Sequence, residues 1–316
     1  MCVNYHEIIT DIKEQTDKKN INNVERTKAY LKFYLNNREI KWSFLASMVS
    51  RNAGWNMTDL KTDTYKNLLS ARMSRHLFIT YERANWFIFS DAYPQLLIYH
   101  YSSRYKQPLF HLLRYFYVST FMIDEWMHFW LHKNEKRLLY AQIINEQNLI
   151  QKPVIEEPFF KWKIFYNVPY FLQDKIHLNA VLFPSLSGIL YGLAIKKFTN
   201  VTERIKTGKK LASILFHNDF YEQFLQFAEE VEPDGTRGEY EQFLDKRYIS
   251  AEALEDVYPE IKHDNRKRVD WYDPGLFQEE WWHEAHSEPV SIGDRFYKKR
   301  KALEKLSIIA GKFRNG

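Results

Sequence analysis

Polar side chains interrupt the apolar helical patterns of this sequence, and they are the first candidates for chemistry. With one indole beside them, they are Arg51, Asn52, Trp55, Asn56, Asp59, Arg83, Asn85, Asp91, His177 and Asn179. Buried polar groups need hydrogen-bonding partners, so we expect the helices that carry them to converge. Two guanidinium groups in one pocket would bind a small anionic ligand. His177 would then be the general acid or base, and Asp59 or Asp91 would orient it. The alternative is a structural network in which these groups satisfy one another.

The stretch from Ser50 to Leu60 is the centre of this set. Apolar residues spaced three or four apart predict a helix that leads into it, and Asn52 lies on the apolar face of that helix. Gly54 is predicted to end the helix, and three side chains can cap the next one: Asn56, Thr58 and Asp59. The corner is therefore either two helix caps with a packing Trp55 or the wall of a polar pocket.

Two motifs in this region resemble a known family. Residues 51–60 read RNAGWNMTDL and residues 91–97 read DAYPQLL. Both resemble the YppC-like family of Bacillus and its relatives, and the resemblance covers nearly the whole chain. It implies a bacterial protein that is uncharacterised, with a domain of unknown function. It supplies no activity, cofactor or catalytic residue, so the cofactors stay unknown.

Metal sites have weaker support in the sequence. Two Glu-x-x-His pairs, Glu125 with His128 and Glu280 with His283, would each place a carboxylate and an imidazole one helical turn apart. Di-metal helical bundles use such pairs, but they also need two further inward carboxylates. Ordinary helices with interface residues explain the same pairs, so we assign no metal ligand.

Residues 230–241 match part of a calcium-binding loop. Carboxylates fall at loop positions 1, 3, 5 and 12, with glycine at position 6. Glu230 at position 1, Pro233 at position 4 and the cation of Arg237 depart from the motif. A plain turn at Asp234-Gly235 between acidic helix ends is the alternative explanation.

Composition indicates the fold class. Glycine and proline number only 10 each in 316 residues, so turns are few and elements are long. No run of alternating strands appears, and we predict an all-α protein, a large multi-helix globular bundle. An irregular proline-rich connection near 152–170 separates an N-terminal half (1–151) from a C-terminal half (152–316), or the chain is one continuous domain.

Apolar periodicity predicts most of the helices. They span 5–16, 22–36, 40–53, 62–74, 108–132, 134–151, 202–216, 218–230, 276–286 and 292–310. Pro94 is expected to break the helical pattern of 76–101 near Asp91 and to make that residue a cap. The uncharged run of 178–195 is predicted to form one buried helix or two short ones, with a membrane span as the alternative.

The single cysteine, the N-terminal residues and the distribution of charge bear on localisation and on binding partners. The single cysteine, Cys2, can form no internal disulfide, and the first 20 residues lack the apolar run of a secretory signal, so we predict a cytoplasmic protein. Residues 217–260 hold 13 acidic and three basic residues, a net charge of −10. Residues 291–316 hold eight basic and two acidic residues, a net charge of +6.

Two hypotheses follow for a function that the sequence leaves unknown, including whether the protein is an enzyme. The first is a polar pocket for a small anionic ligand or substrate beside the Arg51–Asp59 corner. The alternative is a non-enzymatic interaction module, in which the acidic block 217–260 and the basic tail 291–316 bind a protein, a membrane surface or nucleic acid. The simpler explanation of the basic tail is that it pairs with the acidic block inside the molecule.

Overall fold

The computed structural model describes residues 4–156, 180–195, 199–244, 251–259, 261, 263 and 268–314. Helices dominate these residues, which confirms the all-α fold class. The first half contains α1 (Tyr5–Lys19), α2 (Asn23–Asn36), α3 (Lys41–Asp59), α4 (Asp63–Leu68), α5 (Ala71–Tyr105), α6 (Thr120–His132) and α7 (Glu135–Leu149). A 3-10 helix, Phe110–Phe116, joins α5 to α6, and a π-helical turn, Gln151–Ile155, follows α7.

The second half contains a hairpin and five more helices among the described residues. These are β1 (Ala180–Pro184), β2 (Leu190–Ala194), α8 (Val201–Leu215), α9 (Tyr221–Glu230), α10 (Gly238–Glu241), α11 (Leu254–Val257) and α12 (Gly293–Arg314). The helix predicted over 276–286 is wrong, because only a 3-10 turn, Glu279–Trp282, forms there. Of the proline-rich connection predicted near 152–170, residues 157–170 lie outside the described ranges. The division into two halves stays a prediction.

Helix α3 continues through Gly54, so the prediction that the helix ends there is wrong. Asn56, Thr58 and Asp59 lie in its last turns and do not cap a following helix. The glycine has a packing role instead, because a Cβ on Gly54 would lie only 3.3 Å from the Cα of Gly235. A small residue therefore lets the turn at 234–236 approach the backbone of α3 closely.

Helix α5 runs unbroken through Pro94, and the predicted break at Asp91 is also wrong. Every residue from Asp91 to Tyr99 is buried, so this part of the helix packs on all sides. Such packing offsets the loss of about 3 kcal/mol that proline causes inside a helix. The helix predicted over 62–74 is instead divided, because Ser70 accepts a hydrogen bond from the Met73 amide and caps α5.

The apolar run of 178–195 forms a β-hairpin in its described part, so the prediction of a buried helix is wrong. β1 pairs with β2 in antiparallel register, from Ala180 opposite Ala194 to Pro184 opposite Leu190. A short buried strand and a buried helix share the same continuous apolar pattern, which is why periodicity could not separate them. No helix in the described ranges is long and apolar enough to cross a membrane.

The main apolar cluster takes residues from both halves of the chain. Trp42, Trp55 and Trp126 are fully buried in it or at its edge, and the hairpin and α8 pack against the helices of the first half. An ion pair fastens α2 to α5 inside the fold, because Arg26 donates to both carboxylate oxygens of Glu82 at 2.7 and 2.5 Å. Both side chains are completely buried.

We expect Gly235→Ala to destabilise the protein by about 2–5 kcal/mol, a range that adds the left-handed backbone penalty to overpacking. Gly235 has a φ of +79°, and a Cβ there would lie 2.6 Å from the Cβ of Leu254. Urea denaturation followed by circular dichroism would measure the change. Gly275→Ala is the control, because its Cβ would meet only a side-chain oxygen of Asp273 at 3.4 Å. Equal stability of the two variants would contradict the close packing at Gly235.

Candidate functional site

The Arg51 corner is a buried ion-pair network. The Arg51 side chain is only 1% exposed, as is that of its partner Glu239. Its Nε donates to Glu239 Oε2 at 2.5 Å, and its second guanidinium nitrogen donates to the Val231 carbonyl at 2.5 Å. The guanidinium also lies over the ring of Phe227 at 4.7 Å. Burial raises the pKa of Glu239, although the positive charge of Arg51 opposes that shift.

Arg237 forms the second ion pair of the corner. It donates to Asp59 Oδ2 at 2.7 Å, to Asn56 Oδ1 at 2.9 Å and to the Tyr240 hydroxyl at 2.8 Å. All four side chains lie in the interior. In the sequence, the cation of Arg237 argued against a calcium-binding loop. In the structure, Arg237 neutralises the carboxylate of Asp59.

The tail helix α12 extends this network. Arg300 donates to Glu241 Oε1 at 2.9 Å and lies 4.0 Å from Asp59 Oδ1. The Tyr297 hydroxyl donates to the same oxygen of Glu241 at 3.1 Å. The inner face of the basic tail therefore pairs with the acidic block inside the molecule.

Asn52 and Trp55 hold other elements in place. The Asn52 amide donates to the Leu182 carbonyl at 2.9 Å, and its oxygen accepts from the Leu182 amide at 2.8 Å, which fastens β1 to α3. Trp55 packs edge-on against the ring of Tyr240 at 4.8 Å. Its Nε1 has no hydrogen-bond partner among the described residues.

The other predicted residues are distributed more widely. The guanidinium of Arg83 lies 5.7 Å from the ring centre of Phe87, and Asn85 donates to the Tyr81 carbonyl one turn back along α5. His177 and Asn179 lie outside the described residues. The structure thus brings five of the ten residues together at one corner, and their role in ligand binding or catalysis stays a prediction.

Asp91 belongs to a second polar network, between α5, α6 and α7. Its Oδ2 accepts from Gln95 at 2.6 Å and from Asn145 at 2.7 Å, and Arg268 lies 3.8 Å from its Oδ1. Burial raises the pKa of Asp91, while the charge of Arg268 and the two amide donors act against that shift. The residue is 1% exposed, and both of the hydrogen bonds to its carboxylate fall on Oδ2.

A small cavity adjoins this network, and most of its polar lining was not predicted. Asp91 and Gln95 line it from α5, Gln142, Asn145 and Glu146 from α7, and Trp42 from α3. The indole of Trp42 donates to Glu146 at 3.0 Å. Burial raises the pKa of Glu146 to about 7. The signal in the sequence was a set of polar residues inside the apolar run from Leu138 to Leu149, because α7 is buried around most of its circumference.

The metal-binding patterns do not assemble into sites in the described part of the chain. Glu125 forms a bidentate ion pair with Arg137, with both bonds at 2.7 Å, and no group of three or more His, Cys, Asp or Glu side chains there could hold a metal ion. Glu280 and His283 lie at a 3-10 turn and not on an α-helix. In the calcium-like loop, Glu239 and Glu241 are taken up by Arg51 and Arg300.

The outer face of α12 is the largest set of available charges that we find. Arg295, Lys298, Lys301, Lys305 and Lys312 are exposed along it, and none of them forms an ion pair or hydrogen bond with a residue that the structure describes. Three apolar residues lie among these cations: Leu306, Ile308 and Ile309 are 36%, 59% and 54% exposed. The opposite face docks through Phe296, Leu303 and Ser307, which are all buried.

Comparison with known proteins gives a family without an activity. Residues 18–291 match the family described as "Protein of unknown function (DUF2515)". The chain is 43% identical over 303 residues to "Uncharacterized protein YppC" of Bacillus subtilis (strain 168). The matched region covers 96% of this chain and 95% of that protein. No solved structure matches the chain.

We expect Arg51→Met to destabilise the protein by about 3–5 kcal/mol, because it leaves the buried carboxylate of Glu239 without its cation. Adding Glu239→Gln should recover more than half of that loss. The glutamine oxygen can still accept from the Asp234 and Gly235 amides, which now donate to Glu239 Oε1 at 2.9 and 2.6 Å. Urea midpoints of the single and double variants would measure both effects. An Arg51→Met protein of unchanged stability would show that the pair is not structural and would favour the anion pocket.

Proposed function

The chain belongs to the DUF2515 family of proteins of unknown function, and we propose that it is a cytoplasmic protein that binds the anionic surface of a membrane through the outer face of α12. The observation that carries this proposal is the pattern of that face. Two exposed isoleucines, Ile308 and Ile309, are flanked there by lysines that have no partner among the described residues. Exposed apolar side chains bordered by cations can enter the acyl boundary of a lipid surface while the cations stay near the headgroups.

The charges of the outer face support an anionic partner. Arg295, Lys298, Lys301, Lys305 and Lys312 recur at spacings of three, four or seven residues, so they share one side of the helix. Asp294, at the first turn, is the exposed carboxylate on this side. Each cation held near an anionic lipid surface contributes about 1 kcal/mol to binding.

The exposed aliphatic side chains favour lipid over nucleic acid. Ile308 and Ile309 are more than half exposed, and Leu306 is at the border of exposure. Nucleic acids bind to phosphate-contacting cations and to aromatic side chains that stack on bases. The described outer face of α12 offers branched aliphatic groups instead, and these gain free energy when they leave water for the acyl boundary.

The neighbourhood of α12 adds to its positive charge. Its main contact is with α4, which begins two residues after Lys61 and carries Lys66 and its ion-pair partner Asp63, at 3.6 Å, so that these three residues add a net charge of +1. The pKa of Lys61 is lowered by burial and by the like charges of Lys66 and Arg75. Cations that repel one another this closely gain from a shared anionic partner.

The first hypothesis, an anion pocket at the Arg51 corner, has less support. The guanidinium of Arg51 already donates to Glu239 and to the Val231 carbonyl, and Arg237 is bound by Asp59. An anion there would have to displace an internal carboxylate. The outer face of α12 needs no such exchange.

We expect the purified protein to sediment with vesicles that contain about one third phosphatidylglycerol in phosphatidylcholine, and not with phosphatidylcholine alone. The variant Lys298→Glu/Lys301→Glu/Lys305→Glu should weaken this binding by at least about 100-fold, because it removes three attractive charges of about 1 kcal/mol each and adds repulsion. Binding should also weaken as the salt concentration rises.

The control is Lys13→Glu/Lys18→Glu/Lys32→Glu, which changes the net charge equally at exposed positions of α1 and α2. It should keep most of the binding. Ile308→Ser/Ile309→Ser should weaken vesicle binding while leaving its salt dependence in place. Tight binding of duplex DNA that the α12 lysine variant loses, with no vesicle binding, would overturn the proposal in favour of nucleic acid.

A further inference from the structure

The cavity between α3, α5 and α7 contains an unsatisfied amide. Gln142 is 3% exposed, and neither its oxygen nor its nitrogen has a hydrogen-bond partner in the described structure. Buried polar atoms are nearly always paired, with protein or with ordered water. One orphan donor and one orphan acceptor on the same side chain therefore point to a partner that can both accept and donate.

The neighbours of Gln142 are already engaged with other groups. Gln95 accepts from the Trp126 indole at 2.8 Å, and the Asn145 oxygen accepts from Ser119 and from the Trp271 indole at 2.9 and 2.8 Å. The carboxylate of Glu146 accepts only one hydrogen bond on each oxygen, from Trp42 and from Gln147. Glu146 thus keeps free acceptor capacity on both oxygens, and it lies one helical turn from Gln142 on α7.

We propose that this cavity is a binding site for a single water molecule, which pairs with the Gln142 amide and joins it to Glu146, and that the carboxyl group of Glu146 takes up and releases a proton there. The cavity has room for about one water molecule, and Asp91, Gln95, Gln142, Asn145 and Glu146 line it beside the apolar Ile88, Ala92 and Leu149. A stable buried water requires such space together with two or more polar partners. This proposal concerns the interior of the helical body and does not rest on the membrane proposal.

The charged and titratable groups around Glu146 come from three other elements. They are Asp91 on α5, Tyr30 on α2 and Arg204 on α8, and the uncharged indole of Trp42 on α3 donates a hydrogen bond. Glu146 is partly buried. Burial is the largest influence on the pKa of its carboxyl group and raises it to about 7, while the hydrogen bonds from Gln147 and Trp42 and the charge of Arg204 act in the opposite direction. Arg204 itself donates to Gln147 and Gln151, so it does not neutralise the carboxylate directly.

The proton links the stability of the fold to pH. Because the folded protein binds this proton more tightly than the unfolded chain does, the contribution of Glu146 to stability is largest below its ordinary pKa of 4.5 and is lost as the pH rises to about 7. From these two values, Glu146 should increase the unfolding equilibrium constant roughly 50-fold between about pH 5 and pH 7.5.

The test is urea denaturation of the full chain across that pH range. Between about pH 5 and pH 7.5, the Glu146→Gln variant should lack the roughly 50-fold increase in the unfolding equilibrium constant that Glu146 contributes in the unchanged protein. Glu14→Gln, an exposed glutamate on α1, is the matched control and should retain the full rise. Equal pH dependence of Glu146→Gln and the control would overturn the proposed proton site.

A second variant tests the water. Gln142→Leu removes both amide atoms at nearly constant size, so the cavity should become dry and the pH transition assigned to Glu146 should move upwards. A high-resolution crystal structure should show one ordered water between Gln142 and Glu146 in the unchanged protein and none in the variant. A dry cavity in the unchanged protein, or a transition at the same pH in Gln142→Leu, would overturn the water site.

Discussion

The structure depends on the need to neutralise the charges that α3 buries. Arg51 and Asp59 stand two turns apart on one side of that helix, and each must meet an opposite charge in the interior. The segment from Val231 to Glu241 supplies both, with Glu239 for the first and Arg237 for the second. Buried ion pairs add little net stability, but breaking one is costly. The pairs therefore restrict how residues 231–241 can be placed more than they strengthen the fold.

Close backbone packing follows from this constraint. Short ion pairs between α3 and the 231–241 segment require the two backbones to approach each other, and they do so where Gly54 faces Gly235. Thr58 confirms the proximity, because its hydroxyl donates to the Gly235 carbonyl at 2.8 Å. A glycine that looks like a helix terminator in the sequence is thus part of a tertiary contact. The helix continues because its own hydrogen bonds do not need a side chain at that position.

Physical reasons separate what the sequence could predict from what it could not. Periodicity and scarce turn residues predicted the helical fold class, and apolar surroundings identified Arg51 and Asp59 as buried. Their partners lie about 180 residues away in the chain, and local pattern carries no information about such pairs. Pro94 was misleading because propensity is a weak prior once a segment is buried on every side. The hairpin of 180–194 was missed because its strands have no polar face to alternate.

The basic side chains of α3 and α12 differ in whether an internal carboxylate neutralises them. On the inner face of α12, Arg300 forms an ion pair with Glu241, and on α3, Arg51 forms one with Glu239. Both cations therefore connect elements inside the fold. The outer lysines of α12 meet no carboxylate among the described residues, although the acidic block lies in the same half of the chain. A solvated helix face also leaves its lysines unpaired, so the asymmetry between the two faces does not by itself assign a function. The membrane proposal depends on the exposed aliphatic side chains that lie beside those lysines, because an ordinary solvated face gains nothing from exposing them.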